Sequence, residues 1–218
     1  MSRPLHLAAY LLAFDTRAQA LQDRTRAGFL LRAAALAELA HRGDLVEDGA
    51  GRVRVAPAAG PAGDPVLDAL LAEVAAKRRG WKSWIKRGRE ETLDGVEQRL
   101  AVLGVLTVQD RDPYGPVVPR RPVLMPDPRE ALDQQLRVAQ VIRGDGPVDH
   151  VAFPDAVLGA LAAHGQLRLV LSRQERRERA DRIAALTDRL AERAPGLARA
   201  VGGLGTTMVA AQGGMGGG

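Results

Sequence analysis

The sequence contains no cysteine, which excludes a disulfide scaffold and thiolate chemistry and fits a reducing cytosol. Aromatic residues make up only 3%, so Leu, Ala and Val must supply the core. Serine occurs three times (Ser2, Ser83, Ser172), never in a G-x-S-x-G nucleophile elbow. No G-x-x-x-x-G-K-[ST] phosphate loop, G-x-G-x-x-G or H-E-x-x-H is present. The four histidines (His6, His41, His150, His164) are scattered without metal-ligand spacing. The expectation is therefore no enzyme activity, no cofactor and no metal. No apolar run approaches the length of about 20 residues that crosses a bilayer.

Lysine is also nearly absent, and its placement is informative. All three lysines (Lys77, Lys82, Lys86) fall in residues 77–89, KRRGWKSWIKRGR, together with Arg78, Arg79, Arg87 and Arg89. Both tryptophans of the chain, Trp81 and Trp84, lie in the same stretch. The 218-residue chain carries a net charge of +5, and its 46% apolar content is that of a globular domain. Such a charge favours an anionic partner: nucleic acid, an acidic membrane face or an acidic protein. Frequent Arg, Ala and Gly suggest a GC-rich coding sequence, so part of the arginine excess reflects codon usage.

Helix punctuation is legible along the chain. Asp64-Pro65 and Asp127-Pro128 each offer an N-cap followed by proline, with Glu130 completing a capping box at the second. Ser172-x-x-Glu175 offers another. The spacing predicts helices near 4–14, 26–42, 65–79, 81–88, 92–103, 128–142, 154–164, 173–194 and 196–211. The N-terminal stretch has the rough form of a signal peptide, but His6 interrupts it, and a first amphipathic helix closed by Asp15 is expected. Residues 45–56 read as a hairpin around Asp48-Gly49, and 105–125 as a longer one with prolines at its edge. Three helices run through glycine (Gly43, Gly104, Gly165) into apolar segments, where a left-handed C-cap is expected. His41 and His164, near two of those ends, read as capping cations. The fold class is mainly α: a single compact helical domain over 1–212 with small β-hairpins, followed by a flexible Gly-rich tail, 213–218.

Helix, glycine cap and hairpin is also the order of a winged-helix DNA-binding unit. Against it, helix 26–42 presents mostly Ala and Leu, with few groups able to read base edges. The wing tip, Glu47-Asp48-Gly49, is acidic.

The stretch LRAAALAELAHRGDL (31–45) resembles the helix-and-turn signature of the Golgi phosphoprotein 3 family, L-R-x-x-x-L-x-E-L-A-x-R-G-x-L. LHLAAYLLAFD, Pro65–Asp68, Trp84-Ile85, Gly104–Thr107, the charged helix after 172 and Thr206–Gln212 resemble further family segments in the same order, covering roughly 4–212. The resemblance implies a non-catalytic peripheral protein whose eukaryotic members bind phosphatidylinositol 4-phosphate and link protein clients to coat. It implies anion binding by Arg32, the counterpart of a family pocket arginine. Arg87, Arg89 and Arg99 are available nearby as partners. The tryptophan that accompanies that arginine in the family is replaced here by Asp23, an acidic residue expected to repel a phosphoinositide headgroup.

These readings converge on a peripheral adaptor for anionic, phosphoinositide-like phospholipid on the inner, cytoplasmic face of a membrane. Lys77, Arg78, Arg79, Trp81, Lys82 and Lys86 are the expected membrane contacts, with Trp84 and Ile85 in the core. The 105–125 hairpin, apolar at Val105, Leu106, Val117, Val118 and Leu124, is expected to support a homo-oligomer. A winged-helix-like DNA-binding regulator and a protein-binding scaffold are the alternative functions.

Overall fold

Two helices that expose almost nothing form the centre of the molecule. In the computed structural model, which describes residues 3–108 and 123–213, every residue of α1 (Leu5–Ala13) is buried. So are thirteen residues of α2 (Arg24–Arg42), which lies against it. Alanine makes this contact possible: Ala33, Ala34, Ala35 and Ala37 are all 0% exposed, and their small side chains let neighbouring helices approach closely. Asp23 caps α2 by accepting the Arg26 N–H. At its far end Gly43, at φ 82°, supplies the left-handed residue that turns the chain into a strand. Arg42-Gly43-Asp44 is that turn.

Around this pair stand α3 (Pro65–Ala76), α5 (Arg89–Val102), α6 (Arg129–Arg143) and α7 (Phe153–His164). The short α4 (Trp81–Lys86) packs on α2. The C-terminal part adds α8 (Arg173–Glu178), α9 (Ala180–Ala191), α10 (Pro195–Gly202) and α11 (Leu204–Gly213), with a 3-10 turn at Val148–His150 before α7. The mainly helical class with small strand pairs is what the sequence predicts, and Asp64 and Ser172–Glu175 act as the expected caps.

The differences have local causes. Helix 65–79 stops at Ala76, because Arg79–Gly80 pairs as β5 with β4 (Arg52–Val55), itself paired with β3 (Leu45–Glu47). A further pair, β1 (Phe14–Asp15) with β2 (Ala20–Leu21), escapes sequence reading because each strand has only two residues. The helix expected over 173–194 breaks at Arg179 (φ −103°, ψ 21°), and that over 196–211 breaks at Gly203. Asp127 accepts the Arg129 N–H but no capping box forms, since Glu130 pairs with Arg3 instead. Gly104 is left-handed as expected, but Gly165 is not (φ −74°); Gln166 takes that conformation at φ 55°. Gly165 is glycine for another reason: a Cβ there would lie 2.4 Å from Leu30 Cδ2. His41 stacks on Phe153 with ring centroids 4.2 Å apart, and His164 Nε2 meets Thr187 Oγ1 at 3.0 Å. Burial pushes the pKa of both imidazoles down, which disfavours the expected cationic cap.

Of the 105–125 hairpin, Thr107–Val108 pairs with Val123–Leu124. Leu106 is buried in the core instead of lying on an apolar edge. The hairpin tip, with Val117 and Val118, and the Gly-rich tail from 214 lie outside the described residues. Among the described residues no helix is long and apolar enough to cross a membrane.

Candidate functional site

The basic segment forms α4 and its flanks, and helical spacing sorts its residues. Trp81, Trp84 and Ile85, at i, i+3 and i+4, face inward and are buried. Lys82 and Lys86, four apart, face outward, and Lys77, Arg78 and Arg87 are exposed beside them. Arg79 and Arg89 are half-buried. Trp81 is therefore not a membrane contact. It is 3% exposed, and its indole N–H donates to Glu47 Oε2 at 3.0 Å. The same oxygen accepts the Gly196 N–H at 3.1 Å, locking β3, α4 and α10 together. A Cβ on Gly196 would stand 2.5 Å from Trp81, so only glycine admits this approach.

A second lock comes from α2. Arg32, 2% exposed, donates from Nε to the Trp84 carbonyl at 3.2 Å and from Nη1 to Thr92 Oγ1 at 3.0 Å. Its two terminal nitrogens meet Glu73 of α3 at 3.2 and 2.5 Å. One guanidinium thus ties α2, α3, α4 and α5 together. A burial this deep is tolerable only because the charge is paired and its donors are used. Gly88, at φ 63°, lets the guanidinium pass: a Cβ there would lie 2.9 Å from Arg32 Cζ.

This geometry corrects the expected four-arginine pocket. Arg32 and Arg99 do line one cavity of about 330 Å³, with Val66, Glu73, Thr92 and Gln98. However, Arg32 faces the Glu73 carboxylate, and Arg99 Nε lies 3.4 Å from Asp64. Arg87 lines a separate cavity of about 350 Å³, together with Glu73 and Glu91. Arg89 turns away, its guanidinium 4.9 Å above the Phe29 ring and one N–H donated to the Lys86 carbonyl. Acidic groups border both cavities, so neither is an open anion pocket. Among the described residues, no group of three His, Asp or Glu is placed to hold a metal ion.

The unpaired positive charge is exposed on α4 and its flanks, with Lys77 and Arg87 at the edge of the second cavity. Lys77, Arg78, Lys82, Lys86 and Arg87 have no ion-pair partner among the described residues. Arg52 and Arg54, exposed on β4 next to β5, extend the basic surface. The Glu73 partner of Arg32, 41 positions away, carries no sequence signal. The outward 82/86 spacing on α4 does.

No curated protein matches the chain. Residues 5–203 match the sequence model of the Golgi phosphoprotein 3 family. That span runs from the first residue of α1 past the end of α10 and includes α2, both locks and the basic helix. The chain belongs to the Golgi phosphoprotein 3 family.

Proposed function

We propose that the protein is a peripheral membrane adaptor that attaches reversibly to anionic phospholipid through the basic surface of α4 and its flanks. One observation carries this reading: five exposed cations, unpaired among the described residues, are displayed on a short helix and its flanks, and the helix's own tryptophans are buried. The two locks fix that display in place, so little ordering is left to be done on binding. Each Lys or Arg near an anionic leaflet contributes on the order of 1 kcal/mol. Three facing the surface would therefore hold the protein reversibly. With Arg32 and Arg99 facing carboxylates, attachment is governed by charge density more than by one headgroup's stereochemistry, and salt weakens it.

Co-sedimentation with vesicles across a series of headgroups, run beside a DNA shift assay at matched salt, tests this. The reading expects binding that follows vesicle charge. Binding to duplex DNA with a steep salt slope and none to anionic vesicles would replace it with the DNA-binding alternative.

A further inference from the structure

Two buried donors without acceptors line one cavity, the space of about 350 Å³ where the end of α3, β5, α4 and the start of α5 meet. Trp84 is 2% exposed, yet its indole N–H has no hydrogen-bond partner among the described residues. The Nε of Arg79 is buried in the same condition. Arg24, Arg99 and Arg189 also have a buried Nε without a hydrogen bond, but each of those side chains faces a carboxylate. Arg79 has no ion pair among the described residues. Buried donors are costly to leave unpaired, so two on the walls of one cavity call for an acceptor inside it. Water would satisfy the indole but leave the half-buried guanidinium charge unmatched.

The rest of the lining sets the charge of the ligand. Lys77 and Arg87 stand exposed at the edge of the cavity and carry no ion pair among the described residues. Of the two carboxylates that line it, Glu73 is held by Arg32, whereas Glu91 is exposed and unpaired among the described residues. A phosphate dianion would bring its charge against both of them. A planar carboxylate brings one charge and two acceptor oxygens, enough for one indole N–H and one guanidinium. An ammonium on the same ligand would match Glu91, and a second carboxylate would match Lys77 and Arg87. A ligand with these three groups is an acidic α-amino acid, and the volume, at the small end for ligand pockets, suits its size.

We infer that the cavity between α3, β5 and α4 is a binding site for a free acidic α-amino acid. Its α-carboxylate meets the Trp84 indole N–H and Arg79, its ammonium meets Glu91, and its side-chain carboxylate lies between Lys77 and Arg87. The carboxylates that keep this cavity from being an open anion pocket thus become part of the recognition. The site shares Lys77 and Arg87 with the basic surface of α4 but does not rest on membrane attachment.

Nitrogen-15 spectra in vesicle-free solution test it, because the chain has two tryptophans and hence two indole N–H signals. Trp81, bonded to Glu47, is the internal reference. On titration with L-glutamate one indole signal should shift saturably, and it should be the signal absent from Trp84→Phe. Arg79→Gln should weaken binding at least about tenfold, with the Trp81 signal unmoved as the mark of an intact fold. Glu91→Gln should weaken glutamate roughly threefold, as expected of an exposed pair, and should not weaken glutarate, which lacks the ammonium. Arg79→Gln and Glu91→Gln carry the test alone if Trp84→Phe does not fold. No saturable shift at millimolar glutamate would overturn the proposal. Equally tight binding of inorganic phosphate, or native-like glutamate binding by either Gln variant, would do the same. Failure here leaves the α4 reading standing, because no membrane is present, and loss of vesicle binding in Lys82→Ala leaves this site standing.

Discussion

Arg32 and the outward face of α4 lie within a few residues' reach of each other and use positive charge in opposite ways. Arg32 is buried, faces a carboxylate and donates to three groups, so its charge is spent inside the fold. Lys82, Lys86 and Arg87 are exposed and unpaired among the described residues, so their charge remains available to an outside partner. The difference shows that a count of basic residues says little about binding. What decides is whether a carboxylate from another element reaches each one, and Glu73 reaches only Arg32.

The comparison is broken most severely by removing the strut. Arg32→Ala should lower stability by about 3 kcal/mol in urea unfolding, since it strands the Trp84 carbonyl, Thr92 and Glu73. Because Glu73 is 41% exposed and can turn to water, a figure well above that is not expected. Arg32→Lys should recover little, as one ammonium cannot fork between Glu73 and Thr92 while reaching Trp84. Gly88→Ala comes next, at about 2 kcal/mol. It places a side chain in left-handed backbone and pushes on a guanidinium fixed by its bonds.

A smaller effect sharpens the contrast at the C-terminal helices. Ser172→Ala removes one half of the α8 capping box and should cost about 1 kcal/mol in the same assay. Glu175, held at about 2 mainly by the Ser172 side chain and backbone, contributes stability that is present above its unfolded pKa. That contribution is lost as pH falls from about 4.5 towards 2. The effect is modest because the carboxylate faces water. The smallest expected change concerns His164. Burial holds its folded pKa below 6.5, so the unfolded chain takes up the proton first. Stability is then complete above about pH 6.5 and falls as pH drops through the folded value. His164→Gln should flatten the part of this slope that His41 does not supply.

Much of the helical framework was legible because its signals are local. Asp64, Ser172 and Gly43 act through bonds to residues two to four positions away, and the inward set Trp84-Ile85 follows helical period. What was not legible depends on contacts far apart in sequence. The burial of Trp81 needs Glu47 and Gly196, and Gly165 is explained only by Leu30. Arg32 stands out in the sequence because its own helix offers it no carboxylate, but that does not exclude one from α3.

Vesicle binding by the Lys82→Ala/Lys86→Ala/Arg87→Ala triple variant tests the central claim most directly, with Arg179→Ala as the control. Arg179 is already paired with Asp145, 2.6 Å away, and should matter little. Losing three cations at about 1 kcal/mol each should weaken binding to anionic vesicles roughly 100-fold, with the melting temperature unchanged. Native-like vesicle binding by the triple variant, or an equal loss in Arg179→Ala, would contradict the assignment of membrane attachment to the exposed face of α4.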